Sequence, residues 1–384
     1  MRILHVIPHY WPAVRYGGPI RSVHGLARAT AALGHEVHVY TTNVDGAGVS
    51  DVPVGRAVAR DGMQVTYFET GAGRGVYRSP QMERAFAETI AGFDIVHIHY
   101  VWVWTTVAAA RAAWAAGVPY VLSPRGMLVA ELIARKSPLA KRVWLALFDR
   151  KNVERAAAIH VTAGSEGEQL RELGLKTRRV AVIANGIDPE EAGQPTHGAG
   201  AADGPPLILF LGRISWKKGL DRLIAALPEV QGAELVIAGY DEGGYQAEAE
   251  RLAREAGVMD RVRFVGGVEG AAKWALIGQA RCLVLASYNE NFGMAVVEAM
   301  AAGCAVVVTP EVGLASVVME SGSGIVTAGE PKPLAAAINR VIGDASLRAR
   351  MGEAGRRTVR ARFGWEGIAR EMVALYDECA SGAR

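Results

Sequence analysis

The chain lacks several features that would announce its chemistry. Among 384 residues it has three cysteines, Cys282, Cys304 and Cys379. They are odd in number and far apart, which argues against a disulfide scaffold and against paired metal ligands. Asp-x-Asp does not occur, and no His/Cys/carboxylate cluster has ligand spacing, so a metal-independent site is expected. No apolar run approaches the roughly 18 residues that a membrane span needs. The opening stretch, Met1 to Pro8, is too short and too soon polar for a signal peptide. A cytoplasmic protein with buried, reduced thiols is the expectation. The first strand is not followed by G-x-G-x-x-G, which disfavours a nicotinamide-dependent dehydrogenase.

What is present is alternation. Short β-branched runs (Arg2–Pro8, His35–Thr41, Asp94–Tyr100, Val118–Pro124, Ala158–Thr162) alternate with helical stretches, and the pattern restarts at Leu207. This predicts parallel sheets covered on both faces. The length predicts two domains. A Gly- and Pro-rich stretch, 191–206, reads as the linker between residues 1–190 and 207–359. The expected architecture is α/β: two facing, doubly wound Rossmann-like domains, with ligands at strand carboxyl ends in the crevice between them. Charge divides unevenly. Residues 1–189 carry 22 Lys/Arg against 15 Asp/Glu, and the remainder 20 against 24, so the first part is the half more suited to an anionic partner. No nucleic-acid partner is expected.

Four constellations point to chemistry. In 285–303 a strand end, Leu285 to Ser287, meets a polar turn, Tyr288 to Gly293, and then an apolar helix beginning near Met294. The first amides of such a helix make an anion site at a strand's carboxyl end. Glu290 in the turn and Glu298 in the helix are unfavourable beside an anion, unless the ligand also carries hydroxyls. The second constellation is Gly212-Arg213 with Lys218-Gly219, a fork and a point charge suited to a diphosphate. The third is Gly17-Gly18 before a helix, which permits close approach of a phosphate or merely serves a turn. The fourth is the basic stretch 135–155 with interleaved Trp144, Leu147 and Phe148. It reads as one amphipathic helix, packed on the sheet or lying peripherally on an anionic membrane at the inner face of the plasma membrane. His97 and His99 share a strand face and read first as core residues, as do His5 and His38.

Together these residues resemble glycosyltransferase family 4, the retaining group 1 glycosyltransferases of GT-B fold. The resemblance rests on Gly17-Gly18, Val182 to Asp188, Gly212-Arg213 with Lys218-Gly219, and Glu290-x7-Glu298 around Asn-Phe-Gly. It implies a last helix, about 360–384, returning to the first domain. It implies an acceptor-binding N-terminal domain and a nucleotide-sugar donor-binding C-terminal domain, with no metal or other cofactor. Arg213, Lys218 and Glu290 would act on the donor diphosphate and sugar, and Glu298 on the ribose. Gly17, Gly18, Asn291, Phe292, Gly293 and Met294 would supply donor contacts, chiefly backbone amides. Residues 261–266, including Val265, would line the base. Arg15, Tyr16 and His99 would lie on the acceptor side. Leu122-Ser-Pro-Arg125-Gly-Met127 departs from relatives with a histidine there and resembles bacterial surface-polysaccharide and lipopolysaccharide enzymes. Arg125 cannot serve as a base, and contact with the sugar, the diphosphate or an acidic sugar remains open. The expected activity is transfer to a glycan or lipid-linked glycan. The alternatives are a GT-B epimerase or hydrolase, and a non-catalytic sugar-binding protein.

Overall fold

The computed structural model describes residues 1–13, 16–135, 137–188 and 204–382, without the side chains of Leu132 and Arg135. Arg15 and residues 191–203 of the expected linker therefore lie outside the described residues. Two compact units result: Met1–Gly186 with Trp365–Arg384, and Ile187–Gly364.

The N-terminal unit runs β1 (Arg2–His9), α1 (Gly18–Ala32), β2 (Glu36–Thr42), a small hairpin of β3 (Val44–Asp45) and β4 (Gly48–Val49), β5 (Ala57–Arg60) and β6 (Met63–Phe68). Next come α2 (Pro80–Thr89), β7 (Ile95–His99), α3 (Trp104–Ala115), β8 (Tyr120–Ser123), α4 (Ala130–Arg135) and α5 (Pro138–Trp144). It continues with α6 (Arg150–Arg155), β9 (Ala158–Val161), α7 (Gly164–Glu172) and β10 (Val180–Val182). Eight strands form one sheet in the order β10-β9-β8-β7-β1-β2-β6-β5, parallel except for the final pair. All five residues of β7 and seven of the eight in β1 are buried, as expected of strands covered on both faces. The edge strand β5 has no counterpart among the runs expected from the sequence, because its half-exposed Ala-Val-Ala-Arg carries little apolar signal.

The stretch expected as one basic helix is helical throughout Pro138–Arg155 but is not regular. Between α5 and α6 it takes a single π turn, Leu145–Asp149, which rotates Asp149 into the interior. Its carboxylate accepts the Trp102 amide at 2.9 Å and the Asn152 side chain at 3.3 Å. Leu139, Val143 and Leu147 are exposed instead of packing on the sheet.

The C-terminal unit runs β11 (Leu207–Leu211), α8 (Leu220–Ala226), β12 (Glu234–Ala238), α9 (Tyr245–Glu255), β13 (Val262–Gly266), α10 (Gly270–Gln279) and β14 (Cys282–Leu285). It continues with α11 (Met294–Ala302), β15 (Ala305–Val308), α12 (Ala315–Ser321), β16 (Gly324–Val326), α13 (Pro331–Gly343) and α14 (Ala345–Arg362). Its six strands are all parallel, ordered β13-β12-β11-β14-β15-β16. The chain then returns to the first unit as α15 (Trp365–Ser381), which buries Trp365, Ile368, Met372, Leu375 and Tyr376 against Ile3, Leu26, Ile95 and Val121. Among the described residues no helix is long and apolar enough to cross a membrane.

Candidate active site

In the C-terminal unit the polar groups gather where β11 and β14 end. After β11 the chain makes a single turn at Trp216–Lys218 and closes at Gly219, whose φ is 68°. Only glycine fits there, since a Cβ would stand 1.9 Å from the Ala286 carbonyl oxygen. This close approach lays Lys217 and Lys218 beside the turn that leaves β14, where the Tyr288 amide donates to the Lys217 carbonyl at 2.8 Å. The turn is pinned again by the Glu290 amide on the Glu311 carbonyl (3.1 Å) and the Gly313 amide on the Glu290 carbonyl (2.8 Å). Gly293, at φ 102°, begins α11 with no side-chain cap and no acid in the first turn. The first helix amides thus lack intrahelical partners and present positive partial charge.

Lys218 Nζ is ion-paired with Glu290 Oε2, both largely buried. Burial pushes the Glu290 carboxyl up, but Lys218, with Lys217 and Arg213, outweighs it and holds the group below the ordinary range. Glu290 is therefore a fixed carboxylate at neutral pH. Burial, then the charges of Arg213 and Lys218, push Lys217 down. Arg213 Nη1 donates to Glu242 Oε1 at 2.9 Å in a half-exposed pair that contributes little to stability. Glu298 Oε1 accepts Lys273 Nζ at 2.7 Å, and Lys273 is only 5 % exposed. The sequence reading missed Lys273. Its signal was a single charge in an otherwise uncharged helix, Gly-Ala-Ala-Lys-Trp-Ala-Leu-Ile-Gly-Gln.

The Phe292 side chain is core, packed on Phe363 with ring centroids 5.9 Å apart, so only its backbone remains for a ligand. One expectation needs correction here. Arg261 does not line a base: its guanidinium holds the carbonyls of Ala233, Leu227 and Val230 at 3.0, 3.1 and 2.8 Å. Asn291, Met294 and, on the edge strand β13, Val265 are half-buried.

The N-terminal unit uses other means. Gly17, at φ 78°, begins α1 without a side-chain cap, and Gly18 is the first helical residue. Tyr16 stacks on His9 at 3.8 Å, and its hydroxyl accepts the Gly46 amide at 2.8 Å. Three non-glycine residues at the carboxyl ends of β7 and β8 have positive φ: Tyr100 (76°), Trp102 (63°) and Arg125 (57°). Such backbone costs energy and concentrates at functional sites. It is held by the Tyr100 amide on the Ser123 carbonyl (2.9 Å), by Asp149 on the Trp102 amide, and by the Trp102 ring N–H on the Met127 carbonyl (3.1 Å).

Beneath these residues lie four buried histidines. The expectation that His99 faces an acceptor fails, because the ring is wholly buried. Arg125 Nη2 donates to His99 Nδ1 at 3.2 Å, so the His99 proton sits on Nε2 and is given to His5 Nδ1 at 3.0 Å. A second chain starts at the Ile183 carbonyl, which accepts His160 Nε2–H at 2.9 Å. Ser123 then donates to His160 Nδ1 (2.8 Å) and accepts from His97 Nε2–H (2.7 Å), while the Tyr376 hydroxyl donates to His97 Nδ1 (2.6 Å). Burial, reinforced by Arg125, pushes His5 and His160 down to about 3, and burial likewise holds His97 and His99 well below the ordinary range. Ligand atoms of His5, His97 and His99 lie within 4.8 Å of one another, a cluster that sequence spacing did not reveal. Both nitrogens of His97 are bonded and a guanidinium sits on His99, an arrangement suited to neutral rings and not to a bound cation.

Two family models divide the chain. Residues 17–186 match the glycosyl transferase 4-like domain, and residues 197–358 match the glycosyl transferases group 1. The chain belongs to the group 1 glycosyltransferases. A glycogen synthase of Mycobacterium tuberculosis is 29% identical over 413 residues, covering 100% of this chain and 96% of its own. Among solved structures, the sucrose-phosphate synthase of Thermosynechococcus elongatus aligns with a TM-score of 0.81 at 24% identity, over 100% of both chains. An Anabaena protein solved with UDP-glucose aligns with a TM-score of 0.77 at 21% identity, over 98% of this chain and 100% of that one. This glycosyltransferase therefore has the GT-B fold, with two parallel-sheet α/β units.

Proposed function

We propose that this glycosyltransferase moves a sugar, with retention and without a metal, from a nucleotide-diphosphate donor to a hydroxyl of a glycan or lipid-linked glycan in bacterial polysaccharide or glycolipid assembly. The observation that carries this reading is the Lys218–Glu290 pair beside Lys217, Arg213 and the uncapped start of α11. A diphosphate brings charge for the cations and amides, and its sugar brings hydroxyls for Glu290. Glu298, oriented by Lys273 on Oε1, has its other oxygen for the ribose. As the bond from the anomeric carbon to the diphosphate oxygen breaks, the electron pair stays on that oxygen. Fixed cations and amides stabilise it. The acceptor oxygen bonds to the same face of the anomeric carbon, and its proton passes to the departing phosphate oxygen. The exposed Leu139, Val143 and Leu147 beside Arg142 support a lipid-linked acceptor, held by a peripheral contact of the N-terminal unit with an anionic membrane.

Thermal shift with UDP, ADP and GDP tests the donor site, since a ligand at 100 times its Kd stabilises by about 2.7 kcal/mol. One of the three is expected to give a shift that Lys218→Met removes and that chelator leaves unchanged. The anomeric proton coupling of the product reads the stereochemistry. No shift with any of the three, or an inverted product, overturns the reading.

A further inference from the structure

Arg125 differs from Lys218, Lys273 and Arg213, each of which has a carboxylate partner. The Arg125 guanidinium instead bonds to neutral groups: Nη1 donates to Asn185 Oδ1 at 3.0 Å, and Nη2 to the neutral His99. Its Nε is buried and, among the described residues, has no hydrogen-bond partner. Glu166, the acid whose charge reaches Arg125, accepts the amides of Gly126 (2.6 Å) and Thr162 (3.1 Å). A desolvated charge left on neutral partners is costly, and so is a backbone at φ 57° for a residue with a side chain. The residue as a whole is nevertheless only half-buried at the carboxyl end of β8. Tyr100 and Trp102, also at positive φ, stand at the end of the neighbouring strand β7. Two such costs maintained at a strand's carboxyl end call for a ligand that recovers them, and a planar guanidinium matches an oxyanion with two oxygens.

We propose that Arg125 anchors an anion subsite in the N-terminal unit, which binds the phosphate or carboxylate of a negatively charged sugar serving as acceptor. The proposal rests on the reading of this unit as the acceptor unit. Asn185 and His99 set the plane of the guanidinium, and His99 acts only through it.

The test is a titration of the UDP-saturated protein, so that the diphosphate site is occupied, with glucose, glucose 6-phosphate and glucuronic acid. At least one charged sugar binds about ten-fold or more tightly than glucose, the size of one charge-assisted hydrogen bond. The His99 ring 15N signals move with it, and Arg125→Gln abolishes the advantage while keeping the UDP thermal shift. The two charged sugars separate phosphate from carboxylate. Arg125→Gly, which suits the positive φ, guards against a folding defect in Arg125→Gln; with a charge and a strained residue gone, its Tm equals or exceeds that of the parent. Charged sugars binding no better than glucose, an advantage that survives in either variant, or a fall in Tm in both variants overturns the subsite. Loss of the UDP shift from the unmodified protein instead sinks the donor-site reading.

Discussion

Eight of the nine histidines belong to the N-terminal unit, and the ninth, His197, lies outside the described residues, so the described part of the C-terminal unit has none. Its site is built from charges already paired, Lys218 with Glu290, Lys273 with Glu298 and Arg213 with Glu242. The N-terminal unit holds neutral rings in two directed hydrogen-bond chains around one arginine that, among the described residues, hydrogen-bonds only to neutral groups. A paired site exchanges partners when a ligand brings both anion and hydroxyls, and it tolerates mild acid. A site of neutral histidines and a lone cation waits for an anion and is sensitive to protons. One fold thus offers two solutions for polar groups at strand ends.

The sharpest way to break this contrast is Lys218→Met, which leaves Glu290 buried and unpaired and removes a cation from the leaving diphosphate. The kcat/KM is expected to fall about 10²–10³-fold, roughly 3–4 kcal/mol, as for loss of one fixed oxyanion donor. A loss below ten-fold in steady-state transfer would mean that Lys217 and Arg213 suffice.

Acid should separate the units next. A histidine whose folded pKa lies below its unfolded value binds fewer protons when folded, so its contribution to stability falls as pH drops below about 6.5. His5 and His160, both near 3, together cost about 3 kcal/mol between pH 6.5 and 5. Calorimetry across that interval should show the N-terminal unit melting earlier while the C-terminal transition moves little. Transitions that shift equally would refute the contrast.

Asp149 works against this trend within the same unit. Burial pushes its carboxyl up to about 6, so the folded state binds more protons and stability falls as pH rises from about 4 to 6. Asp149→Asn removes that slope, about 2 kcal/mol over the interval. The variant should be steeper in acid than the parent, because the histidine term then acts unopposed. An unchanged pH profile of Tm would show that Asp149 is not the opposing group. The smallest effect belongs to Tyr376→Phe, which leaves His97 Nδ1 buried without its donor at a cost of about 1–3 kcal/mol. Denaturant unfolding reads it, and a change confined to the C-terminal transition would contradict the placement.

Much of the frame was legible because buried parallel strands are continuous β-branched runs, as in β7, β14 and β15. The Lys218 and Glu290 neighbourhood was legible too, since glycines and charges at strand ends mark places where backbone approaches a ligand. Edge strand β5 and the π turn at Leu145–Asp149 were not. The first has a half-exposed pattern, and the second breaks a periodicity that reads as one helix. The histidine chains were illegible for another reason. His5, His97 and His160 come from β1, β7 and β9, and only the strand order brings their rings together. Lys273 was overlooked because a lone lysine on a helix is usually solvated, whereas this one is drawn in by Glu298.

The return of α15 also sets a timetable for the growing chain. Residues 187–364 are contiguous and can close their core as they leave the ribosome. The sheet made first must wait for Trp365, Ile368, Met372 and Tyr376 before Ile3, Ile95 and Val121 are covered. At typical synthesis rates that delay is on the order of 10–40 s. The sheet whose strands precede residues 187–364 is thus completed after them, with an apolar face that a chaperone can hold until α15 has emerged.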